Sequence, residues 1–123
     1  MQFKAIYIEP YTNSTTANVL FADPETDPDQ PSVLSFSRPI DFEGGNYYFE
    51  INDQSQGMYG GLDSVRMSRN QIEVRLGDAA VTKFDNEDLR EVRVEFEIDD
   101  LLYRSALETM KRIFAGFDVF QAE

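Results

Sequence analysis

The spacing of apolar residues changes near position 99, and this change limits what the chain can fold into. Before it, residues 90–98 alternate polar and apolar side chains, with Val92, Val94 and Phe96 on one side. A period of two predicts a β-strand with one buried face. After it, apolar residues recur every three or four positions, which predicts an amphipathic helix over residues 99–116.

The ends of this predicted helix carry suitable residues. Asp99 is a good N-cap, because its carboxylate can accept hydrogen bonds from the first free N–H groups of the helix. Lys111 and Arg112 lie near the C-terminal end, where the helix dipole favours positive charge. Gly116 is predicted to end the helix, because glycine readily adopts the left-handed backbone that ends many helices.

Further segments of the chain have β character. Residues 46–52 alternate best, with Tyr47, Phe49 and Ile51 on the side predicted to be buried. The other predicted strands are 2–8, 16–22, 32–37, 62–68 and 71–76. Strands first and a helix last predict an α+β fold: a mainly antiparallel β-sheet of six or seven strands with one long C-terminal α-helix packed on it. The length of 123 residues predicts a single domain over residues 1–123.

Two segments between these strands are predicted to be loops. Residues 23–31 contain three prolines and four acidic residues, so we expect an exposed acidic, proline-rich loop that cannot join a sheet interior. Residues 53–61 contain three glycines and are expected to connect two strands. A shorter turn is expected at Gly44 and Gly45.

Charge is the most unusual feature of the composition. The chain has 23 acidic and 11 basic residues, a net charge of −12. Segments 23–29 and 85–100 contribute −4 and −6 of this total. A field of this sign repels nucleic acid and anionic membranes and attracts basic partners. Simple solubility is the alternative explanation, because net charge alone does not identify a partner.

Several kinds of chemistry are excluded by composition. The chain has no histidine and no cysteine, so it has no imidazole base, no thiol nucleophile and no zinc site of the usual type. We therefore expect a protein that is not an enzyme and needs no cofactor or metal. The N-terminus lacks the basic segment and apolar run of a signal peptide. No apolar run is long enough to span a membrane. Without cysteine the chain forms no disulfides, so nothing indicates an oxidising compartment. These observations predict a cytoplasmic protein.

One candidate partner-binding region is the strand end and loop around position 53. Its polar and aromatic side chains suit protein recognition, since loops held by a sheet often carry binding groups and tyrosine is frequent at binding hot spots. The candidate residues are Glu50, Asp53, Gln54, Gln56 and Tyr59. The alternative is a structural loop in which Asp53 and Gln54 bond backbone N–H groups.

A second candidate is the polar side of strand 90–98, where Glu95 and Glu97 could complement a basic partner and speed its association. The alternative here is a solvated sheet face. Glu43, Glu50 and Asp53 could also form a catalytic carboxylate pair, but 23 acidic residues make some close pair expected by chance. No segment has the ligand pattern of a calcium-binding EF-hand or of a phosphate-binding loop.

The region around position 53 also resembles a known family. The resemblance covers roughly residues 46–98 and includes Tyr48 to Gln54, Tyr59-Gly60-Gly61, and the hairpin formed by Val65 to Asn70 and Ile72 to Leu76. These segments are similar to the immunity protein 10 family of bacterial polymorphic toxin systems. The pair Asp53-Gln54 is the most distinctive element, and the family motif falls on Glu50, Asp53, Gln54 and Gly61.

The resemblance implies a protein that binds a cognate toxin and blocks it in the cytosol of the producing cell. The partner would be the toxin protein, which could present a basic surface. Neither nucleic acid nor a membrane is an expected partner. The protein itself would be a monomer or a homodimer. The alternative is a non-catalytic binding or homodimeric structural module unrelated to toxins.

Overall fold

The computed structural model describes residues 1–40 and 45–123, so Glu43 and Gly44 lie outside the described residues. Within the described part there are ten strands, two α-helices and one 3-10 turn over Glu87–Leu89. The helices are α1 (Asp78–Phe84) and α2 (Asp100–Ile113). The strands are β1 (Gln2–Lys4), β2 (Tyr7–Thr12), β3 (Thr16–Asp23), β4 (Ser32–Pro39), β5 (Tyr48–Ile51), β6 (Asp53–Tyr59), β7 (Leu62–Ser68), β8 (Gln71–Leu76), β9 (Glu91–Glu95) and β10 (Phe120–Ala122).

The strands form two five-stranded sheets. The meander sheet has the order β2-β3-β4-β5-β6, and each strand is antiparallel to its neighbour. The mixed sheet has the order β1-β9-β8-β7-β10. Its two edge strands, β1 and β10, run parallel to their neighbours, while its central pairs are antiparallel. The first strand and the last strand of the chain therefore close the two edges of the same sheet.

The chain passes from one sheet to the other without a long loop. The Ala5 N–H donates to the Glu95 carbonyl of the mixed sheet at 2.8 Å, and the Ile6 N–H donates to the Ala22 carbonyl of the meander sheet at 2.9 Å. The return crossing is at Gly60 and Gly61, whose φ angles of 68° and 85° suit glycine. These short crossings hold the two sheets with one face of each directed at a common core.

Aromatic side chains fill much of this core. Phe21 of the meander sheet lies 5.8 Å, between ring centroids, from Phe96 after the mixed sheet's β9. Phe114, directly after α2, lies 5.6 Å from Phe36 and 4.9 Å from Tyr47. Burial of each such ring stabilises the fold by about 1.5–3 kcal/mol. Helix α2 adds Ala106, Met110 and Ile113, none of which has exposed surface.

Side chains form hydrogen bonds with free backbone groups at both ends of α2. Asp99 accepts a hydrogen bond from the Leu102 N–H at 2.8 Å, which confirms the predicted N-cap. At the other end, the guanidinium of Arg38 on β4 donates to the carbonyls of Ile113 and Ala115, at 3.2 and 2.5 Å. Because these carbonyls have no partner within the helix, Arg38 ties the helix end to the meander sheet.

The predicted α+β class is confirmed, and so is the burial of Tyr47, Phe49 and Ile51, which are at most 3% exposed. The prediction of one mainly antiparallel sheet with six or seven strands and one helix is wrong in detail. There are two sheets, two of their pairs are parallel, and α1 is a second helix. Alternation along a strand shows which side is buried but carries no information about which sheet the strand joins.

Three local differences have physical causes. The predicted strand 2–8 is split at Ala5 and Ile6, because the chain changes sheets there. Residues 53–59, predicted as loop because they are polar and contain glycine, form the edge strand β6. The strand β10 has only three residues, too few to show a period. Within the described residues, neither helix has the length and hydropathy that a membrane span requires.

Substitution of Arg38 by methionine tests the tie between β4 and α2. We expect the free energy of unfolding to fall by about 1–3 kcal/mol, because two carbonyls lose a charged hydrogen-bond donor. The measurement is urea denaturation followed by circular dichroism. Arg66→Met is the control, since Arg66 lies on an open sheet face and makes no ion pair with the described residues; a change within about 0.5 kcal/mol is expected. Equal losses in both variants would contradict the capping role.

Candidate partner-binding surfaces

The seven residues predicted to bind a partner lie on different parts of the molecule. Glu50 and Tyr59 point outward from the meander sheet, and Asp53, Gln54 and Gln56 lie along its edge strand β6. Glu95 and Glu97 lie on the outer side of the mixed sheet. Because the inner faces of the two sheets share one core, their outer faces point away from each other. One flat partner surface therefore cannot contact both groups.

The outer face of the meander sheet is rich in tyrosine, and we call it the tyrosine face. Strand register places Tyr11, Asn18, Ser37, Tyr48 and Tyr59 in one row across all five strands. The neighbouring row contains Glu9, Leu20, Ser35, Glu50 and Gly57, and a third row contains Tyr7, Ala22 and Val33. Tyr7, Tyr11 and Tyr59 are 53%, 58% and 65% exposed. Large aromatic rings thus stand at the two edges of this face, with mostly small side chains between them.

Tyr48 on β5 holds the side of the tyrosine face next to the edge strand β6 in one arrangement. Its hydroxyl donates to Glu50 Oε1 at 2.7 Å, and its ring centroid lies 4.9 Å from that of Tyr59. The ring covers Gly57: a Cβ atom at position 57 would lie 2.8 Å from Tyr48 Cζ and 2.9 Å from Glu50 Cγ. An edge-strand glycine covered by an aromatic ring is a known means of fixing strand register. Gly57 is therefore required by close packing, although its φ angle is ordinary.

Burial raises the pKa of Tyr48 to about 12, and the hydrogen bond to Glu50 and the charge of Glu50 add to the rise. The phenol consequently stays neutral and remains a hydrogen-bond donor over the physiological range. Glu50 accepts this bond through one oxygen, which leaves its second oxygen for another partner. The Tyr48–Glu50 pair therefore presents a fixed carboxylate beside an aromatic surface.

Asp53, the first residue of β6, forms hydrogen bonds within the start of its own strand. Its Oδ1 accepts hydrogen bonds from the backbone N–H of Ser55, at 2.8 Å, and from the Ser55 hydroxyl. The side-chain hydrogen bond from Ser55 lowers the pKa of Asp53, and the backbone bond lowers it further. Asn52, with a φ of 68°, bonds to Val33 on β4 through its backbone and its side chain. In the described part of the chain, the side chains of Gln54 and Gln56 make no hydrogen bond.

The outer side of the mixed sheet is an ion-pair face. Arg93 pairs with Glu73 at 2.6 Å, and Lys4 pairs with Glu97 at 3.4 Å. Two cavities of about 420 and 470 Å³ open on it. The charged residues that line these two cavities are four basic and four acidic: Lys4, Arg66, Arg75, Arg93, Glu73, Glu91, Glu95 and Glu97. Glu123 adds one acidic residue at the β10 edge. Because these charges nearly balance, the face is much less acidic than the sequence of residues 85–100 suggests.

Pairing also explains where the net charge of the molecule lies. Residues 5–61, which contain the whole meander sheet, hold nine acidic residues and one basic residue, a net charge of −8. The rest of the chain holds fourteen acidic and ten basic residues, a net charge of −4. Every ion pair between described residues lies outside 5–61. The larger share of the net negative charge, −8 against −4, therefore falls in the segment that contains the meander sheet.

The acidic loop adds to the charge at one end of the tyrosine face. It begins directly after Ala22, the partner of Tyr7 in the sheet. Asp23 is buried and accepts hydrogen bonds from the backbone N–H groups of Glu25 and Thr26 at 3.1 Å, so its carboxylate shapes the loop. The Thr26 side chain is the main cause of the lowered pKa of Asp23. The side chains of Glu25, Asp27 and Asp29 remain exposed.

Sequence reasoning missed Tyr7, Glu9, Tyr11 and Tyr48 as candidate binding residues. The usable signal was the order Tyr-x-Glu-x-Tyr in residues 7–11 and Tyr-x-Glu in residues 48–50, which places these side chains on one side of their strands. The proposed carboxylate pair gains no geometric support. Glu43 lies outside the described residues, Glu50 is bonded to Tyr48, and Asp53 is bonded to Ser55. Among the described residues, no group of three or more acidic side chains is placed to hold a metal ion.

Comparison with known proteins gives one match. The sequence model of a family described as immunity protein 10 matches residues 5–102. The matched segment contains the whole meander sheet, the strands β7, β8 and β9, helix α1 and the start of α2. No curated protein and no solved structure shows significant similarity to the chain.

A double-mutant cycle tests the packing of Tyr48 on Gly57. Gly57→Ala alone should cost about 1–3 kcal/mol in the free energy of unfolding, because the new methyl group displaces the Tyr48 ring and breaks its bond to Glu50. In a Tyr48→Ala background the same substitution should cost much less, because the obstacle has been removed. Urea denaturation of the four proteins measures the coupling. Additive effects would show that Tyr48 does not cover Gly57.

The lowered pKa of Asp53 predicts a pH-dependent contribution to stability. Since the folded pKa lies below the ordinary value of 3.8, the ionised carboxylate stabilises the fold at pH values above 3.8. This contribution is lost as pH falls through the lowered pKa. The stability difference between wild type and Asp53→Ala should therefore be full at pH 7 and smaller at pH 3, measured by urea denaturation. Ser55→Ala should raise the pKa of Asp53, measured by NMR; an unchanged pKa would remove Ser55 as its cause.

Proposed function

The chain belongs to the immunity protein 10 family, and we propose that it binds a cognate bacterial toxin domain and neutralises it in the cytosol of the producing cell. The observation that carries this function is the family match over residues 5–102. The match spans the meander sheet, which lies in the segment 5–61 with its net charge of −8. An acidic surface with exposed tyrosines suits binding to another protein.

Inhibition would follow from binding alone. The chain supplies no histidine or cysteine, and the two described carboxylates of the suggested catalytic pair already bond to Tyr48 and Ser55. A bound acidic protein can block a toxin by covering its active site or its substrate-binding surface. This mode needs a preformed surface and no chemical step, which fits the fixed Tyr48–Glu50 pair.

The candidate partner residues divide between the two outer faces. Glu50 and Tyr59 would contact the toxin from the tyrosine face, with Gln54 and Gln56 beside them on β6. Asp53 would shape this edge through Ser55. Glu95 and Glu97 would contribute only if the toxin bound the ion-pair face instead. The tyrosine face is favoured, since its acidic groups are not matched by basic neighbours.

Co-expression with the toxin domain encoded beside the gene for this chain tests the function. We expect cells that produce the toxin alone to stop growing and cells that also produce this protein to grow normally. The purified chain and a catalytically inactive toxin variant should form a complex that elutes as one species in gel filtration. A toxin domain from an unrelated system is the control and should not be neutralised. Absence of any complex between the purified proteins would refute the proposed function.

A further inference from the structure

We infer that the tyrosine face is the docking surface, and that its partner is a protein surface presenting arginine and lysine side chains about 14 Å apart. That this partner is a toxin rests on the proposed function, whereas the chemistry of the surface rests on the structure itself. Four residues outside the seven predicted to bind a partner, Tyr7, Glu9, Tyr11 and Tyr48, become contact residues.

The tyrosine face is open, whereas the centre of the opposite face of the same sheet is buried. Ala17, Val19 and Phe21 on the inner face have no exposed surface, whereas Tyr7 and Tyr11 on the outer face are more than half exposed. Five strands about 4.8 Å apart make a face about 20 Å wide. That width suits the centre of a protein interface, where a typical partner buries about 800 Å².

The shape of the face suits inserted side chains. In the row that begins with Tyr11, Tyr11 stands at one edge and Tyr48 and Tyr59 stand at the other side, with Asn18 and Ser37 between them. This arrangement is a shallow trough with aromatic walls. Long side chains of a partner can lie across the small residues and contact a ring on either side. Arginine and lysine fit such walls, because their cationic groups are attracted to aromatic faces.

The negative charge around this trough favours a partner with basic side chains. Glu9 and Glu50 lie in one row on β2 and β5, three strand spacings or about 14 Å apart. Neither forms an ion pair with a described residue, and the surrounding segment 5–61 has a net charge of −8. A guanidinium stacked on Tyr48 or Tyr59 can at the same time bond to the free oxygen of Glu50. Two cations at this spacing would neutralise both carboxylates.

A second copy of the chain is a poor occupant of this face. Two copies would bring Glu9, Glu50 and the acidic loops of both molecules together, and like charges across an interface are unfavourable. The ion-pair face offers no comparable attraction, because the four basic and four acidic residues that line its two cavities already balance.

Matched charge reversals on the two faces test this assignment. Glu9→Lys and Glu95→Lys make the same change in charge, and both side chains are exposed and without ion pairs to described residues. Glu9→Lys should weaken binding to the inactive toxin domain at least tenfold, mainly through slower association at low salt. Glu95→Lys should change the affinity less than threefold. The double variant Tyr11→Ala/Tyr59→Ala should also lose at least tenfold, with unchanged circular dichroism and urea midpoint.

A second probe makes the result independent of the toxin. Nona-arginine peptide is titrated into the isotope-labelled chain, and amide shifts are followed by NMR. We expect the largest shifts in β2, β5 and β6, reduced in Tyr11→Ala/Tyr59→Ala and retained in Glu95→Lys. Shifts confined to residues 24–29 or 85–100, or no shifts, would overturn the assignment. Toxin binding that responds to Glu95→Lys and ignores Glu9→Lys would also overturn it, while leaving the proposed function intact. Failure of the wild-type chain to bind the toxin, with the peptide shifts present, would refute only the proposed function.

Discussion

The ring of Phe114 lies where three parts of the molecule meet. It contacts Phe36 and Tyr47 on the meander-sheet side and stacks on Phe120 of β10, with ring centroids 5.6 Å apart in the last pair. Because Phe114 directly follows α2, these contacts fix the helix against the inner face of the meander sheet. Arg38 adds hydrogen bonds from the same sheet to the carbonyl of Ile113, the last residue of the helix, and to the carbonyl of Ala115 just beyond it. Once this side is filled, the opposite side of the sheet is left to face solvent.

Some side chains on the open side of the sheet are nevertheless held in place by specific contacts. Tyr48 lies over Gly57 and bonds to Glu50, so the central carboxylate is held in place before any partner arrives. A preformed surface loses less conformational entropy on binding than one that must order its side chains. The same contacts keep the tyrosine neutral, since burial and the nearby carboxylate both disfavour its ionised form. Structural packing and the proposed recognition therefore depend on the same few residues.

Ion pairing in the folded molecule changes where the negative charge lies, compared with what the sequence suggests. Residues 85–100 have a net charge of −6 in sequence. In the folded molecule, bases from distant positions approach them: Lys4 pairs with Glu97, and Arg69 pairs with Asp100. The acids of residues 5–61 gain no such partners among the described residues. The strongly acidic surface is thus the meander side, which a count over short segments does not reveal.

Local patterns in the sequence are enough to predict the α+β class, the start of α2 at the Asp99 cap, the burial of Tyr47, Phe49 and Ile51, and the family resemblance. Each of these depends on local periodicity, on one hydrogen bond close in sequence, or on a motif. The tertiary structure alone decided that there are two sheets, that β1 and β10 are parallel edge strands, and that Tyr7, Glu9, Tyr48 and Glu50 share a face. Those features depend on hydrogen bonds and ion pairs between residues far apart in the chain, and a period of two is the same whichever strand becomes the neighbour.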